Sequence, residues 1–218
     1  MTNSQLSRVN GLALLIGAVA FVVHLLLRSL MTAGIEPTTF AKQALWVPAN
    51  SLGLIGAALV VLELPVLYAG VAGPISWLGL VGVALVDVAW MFFGVFLSLY
   101  AMLLLPWLAD KAPSLVAAGA PLPAGLVIAF IAGLAAWLVG AVLLAIPFVR
   151  GRLQPRWIGY VLFVSAFWLV VGNLIIAPSG PATNLAINLL SNLGPVLFLV
   201  PVGYLCTRTW TGQPDKGG

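Results

Sequence analysis

The chain of 218 residues is 62% hydrophobic and 6% charged, whereas soluble globular domains run at roughly 45–50% apolar and about 25% charged. Nine Lys/Arg and five Asp/Glu are too few to coat a water-exposed surface, and a mean hydropathy of +1.16 also excludes disorder, collagen and a disulfide scaffold. A pI near 9.6 does not indicate a nucleic-acid binder, because the basic residues are scattered at segment ends.

A helix that crosses a hydrocarbon core of about 30 Å needs roughly 20 predominantly apolar residues. Six runs satisfy this: Gly11–Met31, Pro48–Gly70, Pro74–Trp107, Pro123–Val149, Trp157–Ala177 and Ala182–Thr207. They are continuous and rich in Leu, Ala, Val and Gly, which predicts helices; a barrel would show alternating segments of about ten residues. The expected fold class is an all-α polytopic membrane bundle of six transmembrane helices. It divides into a tail, 1–10, a single transmembrane domain, 11–207, and a second tail, 208–218.

The first run carries His24 and, one turn later on the same face, Arg28. It is longer than the roughly 7–15 apolar residues of a cleavable signal and no A-x-A site follows, so it is read as a retained span. Glu36–Pro37–Thr38–Thr39 leads to the second run, which opens on Asn50 and Ser51 and contains Glu63 and Pro65. A tight return at Gly70–Pro74 enters the third, with Asp87 and Trp90. Its thirty-four residues would measure about 51 Å as continuous helix, too long for a simple crossing. Projection beyond the membrane is expected, with Leu103–Trp107 packing beneath the loop Asp110–Pro123.

The fourth run repeats small residues at four-residue spacing, Gly125–Ala129–Gly133 and Ala132–Ala136–Gly140. Such spacing lets backbones approach closely and predicts a central position. After the polar hairpin 150–156, the fifth run carries Ser165 and Asn173. Pro178–Ser179–Gly180–Pro181 turns the chain into the sixth, where Asn184, Asn188 and Asn192 recur every four residues; Pro65, Pro147, Pro195 and Pro201 lie within or near span interiors, where they can kink helices and free carbonyls.

Cytoplasmic loops are enriched in Lys and Arg. With six spans, Arg8, Arg150, Arg152, Arg156, Arg208 and Lys216 share one side, six of the nine basic residues. Both termini are therefore expected in the cytoplasm of a bacterial inner membrane. Trp46, Trp107, Trp157 and Trp210 stand at span ends, where amphipathic rings anchor.

An ionisable side chain inside a bilayer is expensive and marks a candidate site. Counting from the span ends puts His24 and Asp87 each about 20 Å deep, and Glu63 about 10 Å from the cytoplasmic surface. The expectation is a His24–Arg28–Asp87 cluster near the midplane, one leaflet from Glu63, with Ser165 as companion to Glu63. Asn50, Ser51, Asn173, Asn188 and Asn192 would complete a polar cavity toward the outer leaflet, and Trp90 could stack a flat ligand. Glu63 and Asp87 are the candidate proton donors or carriers; His24, Arg28, Trp90, Asn173, Asn188 and Asn192 are the candidate ligand contacts. Each has a structural alternative, since Asn, Ser and His commonly bridge membrane helices.

One His and one Cys cannot supply bis-histidine haem ligation or an ordinary zinc site, so no metal or cofactor is expected. No phosphate loop, nucleophile elbow or H-E-x-x-H occurs, and no span carries the Lys of a Schiff base. Three readings follow. The chain binds or moves a small hydrophobic or protonatable molecule; it is an accessory subunit of a larger membrane complex; or it is an intramembrane acid catalyst. The expected partners are the lipid bilayer, a hydrophobic small molecule, and membrane proteins or further copies of the chain.

Three segments carry a resemblance. They are Ser51–Leu52–Gly53–Leu54–Ile55–Gly56 leading to Leu64–Pro65–Val66–Leu67–Tyr68, the run Asp87–Val88–Ala89–Trp90–Met91–Phe92–Phe93, and the hairpin Arg150–Gly151–Arg152–Leu153–Gln154–Pro155–Arg156–Trp157. Over residues 50–205 the chain resembles a broad group of uncharacterised six-span bacterial membrane proteins common in actinobacteria. The resemblance implies architecture only. More distantly, it is similar to small membrane-bound terpenoid cyclases, in which two buried carboxyl groups protonate an epoxide or alkene. That resemblance would give Glu63 and Asp87 this part, although the aromatic-flanked acid motif of those enzymes is not evident.

Overall fold

The computed structural model describes residues 3–72, 77–176 and 184–211. Among them there is no strand, and helices account for nearly every residue. Span one is Asn3–Thr32, and a single turn, Pro37–Phe40, leads to span two, Trp46–Ala72. Span three runs from Trp77 to Lys111 over 35 residues, with π-helical turns at Met91–Phe96 and Tyr100–Leu104. Span four is Ala124–Val149, and span five is Trp157–Val171, continued by the π-helical turn Gly172–Ile176. Span six is a bent pair, Leu185–Ser191 and Leu193–Thr211, whose axes differ by 50°. Five helices are long and apolar enough to cross a membrane alone, six if the bent pair counts as one span. The predicted return at Pro74, the hairpin Pro178–Pro181, the anchoring side chain of Trp210, and Lys216 lie outside the described residues.

The spans form a closed antiparallel ring in chain order, the sixth returning to the first. Close backbone approach sets each register. A methyl group on Gly56 would lie 2.8 Å from the Gly17 carbonyl oxygen of span one. One on Gly140 would lie 2.9 Å from the Gly82 carbonyl oxygen of span three. Gly159 faces Ala145 and Val149 of span four, and Gly194 faces Leu169 of span five. The ring closes where Gly203 of span six meets Leu15 of span one. Such contacts draw helices together where lipid supplies no hydrophobic drive.

Inside the ring, Phe21, Trp90, Trp137 and Phe198 form one aromatic cluster. Trp90 meets Phe21 edge-on at 4.7 Å between centroids and lies 5.7 Å from Trp137, while Trp137 and Phe198 are 5.0 Å apart. Rings offset and tilted in this way gain from their quadrupoles as well as from burial. Span four is a member of the ring rather than its centre. Its Gly133 and Gly140 face span three, whereas Gly125 meets nothing within 4 Å. Only part of the small-residue pattern therefore marks a contact, because the far end of the helix diverges from its neighbours.

A second, smaller core closes the face opposite the N-terminus. Phe40, Ala41, Trp46, Ala101, Ala109 and Val116 are buried together, with Leu105 and Leu108 against them. The end of span three thus packs beneath its following loop, as its length predicts. Leu103 and Trp107, expected in that contact, instead stay exposed. Trp46 is not an interfacial anchor: it is 1% exposed, and its Nε1–H donates to the Ala101 carbonyl at 2.7 Å. Burying the indole is possible because the Ala101 carbonyl satisfies its N–H.

The bend in span six has a specific cause. Pro195 has no N–H to give the carbonyl of Ser191, and its ring crowds that turn. Side chains of span five take up neighbouring carbonyls: Trp168 Nε1–H donates to Leu190 at 2.8 Å and the Ser165 hydroxyl to Gly194 at 3.0 Å. Broken helices persist at membrane depth only when freed carbonyls find such donors.

Candidate functional site

His24 is 1% exposed, and its Nδ1–H donates to the Ala49 carbonyl at 2.8 Å. A carbonyl only accepts, so Nδ1 carries a proton. The ring stands against Gly53 of span two, while Gly94 of span three stands against Ala57. This register corrects the depths counted from the span ends. Asp87 lies seven residues from Gly94, and Glu63 six residues from Ala57 in the corresponding direction. The two carboxyl groups are therefore at one depth to within about a helical turn, and both are about 15 Å from the level of His24. The expected His24–Arg28–Asp87 cluster does not form: no hydrogen bond or salt bridge joins Asp87 to either residue. Counting failed because spans of unequal length do not begin in one plane.

Asp87 is half-buried, and its Oδ1 atom is enclosed without a hydrogen-bond partner among the described residues. Trp90 Nε1, three residues on, is likewise buried and unpartnered, as is Asn50 Oδ1. Asn50 uses its amide nitrogen on the Trp46 carbonyl at 2.8 Å. Ser51 donates to Val47 at 2.9 Å, within its own helix. Glu63 is partly exposed, and Ser165 is not its companion, being spent on Gly194.

The asparagines of span six hold helices together. Asn188, 3% exposed, donates through Nδ2 to the Thr32 hydroxyl at 3.1 Å, and Asn192 Nδ2 donates to the Ser29 hydroxyl at 3.2 Å. Asn192 also donates to the Asn188 carbonyl at 2.8 Å, beside the bend. Asn184 caps the short helix by accepting from the Ile187 amide. Asn173 donates to Leu169 at 2.8 Å in its own span. Asn188 and Asn192 thus make a seam between spans one and six, while Asn173 and Asn184 are bonded within their own elements. Arg28, half-buried as a residue, has no salt bridge among the described residues.

A cavity lies elsewhere, in the half of the ring nearer the N-terminal face. It is a small recess, about 40 Å³ in volume and partly open to the outside. Leu64, Leu67 and Tyr68 of span two line it with Val83 of span three and Leu144 and Phe148 of span four. Ile158 and Leu162 of span five and Phe198, Pro201, Val202 and Leu205 of span six complete the wall. The Tyr68 hydroxyl, the one polar side-chain group in this lining, is turned against Gly79. Phe198 is shared with the aromatic cluster, so its ring divides cavity from core. Glu63, Asp87, His24 and the asparagines are absent from the wall.

The arginines stand at this end of the molecule. Arg150, Arg152 and Arg156 are exposed on the hairpin between spans four and five, and Arg208 Nη1 reaches the Gln154 carbonyl at 3.5 Å. Gly151, at φ 72°, makes the turn over which the Arg156 guanidinium lies. Leu153 points back into the main core. Sequence reasoning read these arginines only as an orientation signal and did not single out Tyr68, Val83 or Phe198. A cavity wall assembled from five spans leaves no contiguous motif to find.

No protein-family model, curated protein or solved structure matches the chain. The resemblance to six-span bacterial proteins therefore stands on architecture alone. Among the described residues, no three His, Cys, Asp or Glu side chains are grouped to hold a metal ion.

Proposed function

We propose that this chain is an integral membrane protein that binds a small hydrophobic molecule in the cavity between spans two and six. The arginine face would lie in the cytoplasm. One observation carries the reading: five spans line an apolar recess, about 40 Å³ in volume and partly open, that the ring's own side chains leave unfilled. Ligand sites are concave and mostly apolar, and they favour the interior of helix bundles. Tight glycine contacts between neighbouring spans hold the wall in shape, so little ordering would accompany binding.

Native mass spectrometry after mild detergent extraction tests this. The protein should carry an apolar adduct that is lost in Val83→Phe and Leu162→Phe, which fill the cavity from opposite sides. An adduct retained in both folded variants, or a bare wild-type mass, would overturn the proposal. The same spectrum tests the accessory-subunit alternative, which requires a stoichiometric protein partner. Acid catalysis through Glu63 and Asp87 has no comparable support, since neither carboxyl group reaches the cavity wall.

A further inference from the structure

The hairpin between spans four and five gathers charge of one sign. From Ala112 to Pro214 the charged residues are Arg150, Arg152, Arg156 and Arg208, with no Asp or Glu among them. The turn is fixed in place: the Arg152 and Leu153 amides both donate to the Pro147 carbonyl, at 3.0 and 3.1 Å, and Leu153 packs against the main core. Gly151 has no side chain, and the Arg156 guanidinium lies where one would be. A methyl group there would be 2.8 Å from Nη2 and 3.0 Å from Nε. The Cα atoms of Arg150 and Arg152 are each about 3.8 Å from that of Gly151, so both side chains start beside the Arg156 charge. These three arginines are exposed, and none makes a side-chain hydrogen bond or salt bridge among the described residues.

An aromatic pair stands beside this charge. Trp157, the residue after Arg156, is 37% exposed and meets Tyr204 of span six edge-on at 5.2 Å between centroids. The Arg208 contact with the Gln154 carbonyl, at 3.5 Å, holds that end of span six against the hairpin. One turn further into the spans, Tyr160 and Val200 are exposed as well. Amphipathic rings above apolar surface belong at the depth where acyl chains meet headgroups. Neither the three arginines nor the aromatic pair lines the cavity, so this is a second surface.

We infer that this surface binds an anionic phospholipid, with the headgroup phosphate at Arg150, Arg152 and Arg156 and the chains passing the Trp157–Tyr204 pair. Guanidinium groups match phosphate in charge and bidentate geometry, and basic clusters at span ends favour anionic headgroups. Phosphatidylcholine carries the same phosphate with a quaternary ammonium, which would face three like charges. A soluble phosphate would use the arginines and leave the aromatic pair without a role. The inference goes beyond the cavity reading and holds whether or not the cavity is occupied.

The full chain in mild detergent is titrated with phosphatidylglycerol and, separately, with phosphatidylcholine of the same acyl chains, and bound lipid is counted by native mass spectrometry. Phosphatidylglycerol should bind about tenfold more tightly, the discrimination expected of a charge-assisted contact. Raising the ammonium acetate concentration should weaken it and leave phosphatidylcholine unchanged, a test on the unmodified protein. The triple variant Arg150→Gln, Arg152→Gln, Arg156→Gln should remove the preference. The double variant Lys42→Gln, Lys111→Gln, which removes exposed charges at the opposite face, should keep it. Equal affinities for the two lipids, a preference that survives the arginine variant, or one that falls equally in the lysine variant would overturn the site. Release of phosphatidylglycerol by inorganic phosphate, beyond the effect of acetate at matched ionic strength, would reassign the arginines to a soluble anion and overturn the lipid assignment.

Discussion

The imidazole of His24 stands directly on Gly53: a methyl group there would lie 2.6 Å from the ring carbons. The same ring is held from the side by the Ala49 carbonyl, at 2.8 Å. Spans one and two are thus locked by one glycine and one hydrogen bond, at a point buried from lipid and water. Substitution Gly53→Ala should displace the ring and destabilise the bundle by about 1–3 kcal/mol, as overpacking does. Thermal unfolding in detergent measures this. An unchanged midpoint would show that the ring has room to move.

The Asn188–Thr32 pair makes a second connection, between spans six and one. A double-mutant cycle with Asn188→Leu and Thr32→Val should give a coupling of about 0.6 kcal/mol, the usual size for interhelical hydrogen bonds in membranes. Zero coupling would remove the seam's contribution to stability.

Glycines in span four should divide by neighbour rather than by pattern. Gly140→Ala forces the new methyl against the Gly82 carbonyl and should lower the unfolding midpoint. Gly125→Ala meets nothing within 4 Å and should be neutral or stabilising, alanine being the better helix former by about 1 kcal/mol. Equal losses at both sites would mean that Gly125 contacts a partner absent from the single chain.

Asp87 is carried at a cost to folding. Asp87 lies away from the midplane, where a carboxyl group costs less than the roughly 2.5–3.5 kcal/mol of a helix centre on insertion scales, but its Oδ1 has no partner among the described residues to offset this. Asp87→Leu should therefore raise the unfolding midpoint, and Asp87→Asn should leave it unchanged. A lower midpoint in Asp87→Leu would instead show that the carboxyl group holds the fold. If stability rises, the residue's retention points to function, and the two variants become the natural probes of any transport or proton transfer.

The register correction shows what is readable from a chain of this kind. Span boundaries and the overlong third helix were legible because each depends on residues close in sequence; that Pro195 alone of the four interior prolines accompanies a break was not, since Pro65, Pro147 and Pro201 sit inside continuous helices. The depths of Asp87 and Glu63 were not, since height depends on which residues of two helices touch. His24 sits opposite Gly53 because only a glycine leaves space for its ring there, a pairwise fact that no single span contains. Trp46 misled for the same reason: a tryptophan at a span end is an anchor unless a carbonyl such as that of Ala101 is positioned to take its N–H.

Composition and periodicity alone determined that this is an all-helical bundle with enough apolar runs for six membrane spans. Hydrophobicity accumulates residue by residue, and a hydrocarbon layer reads its sum over a fixed length. The tertiary structure decided which polar groups meet and where the cavity lies. Those follow from steric fit between helices, which is set by small residues at contact points and can shift a side chain's height by several turns without altering the hydrophobic pattern.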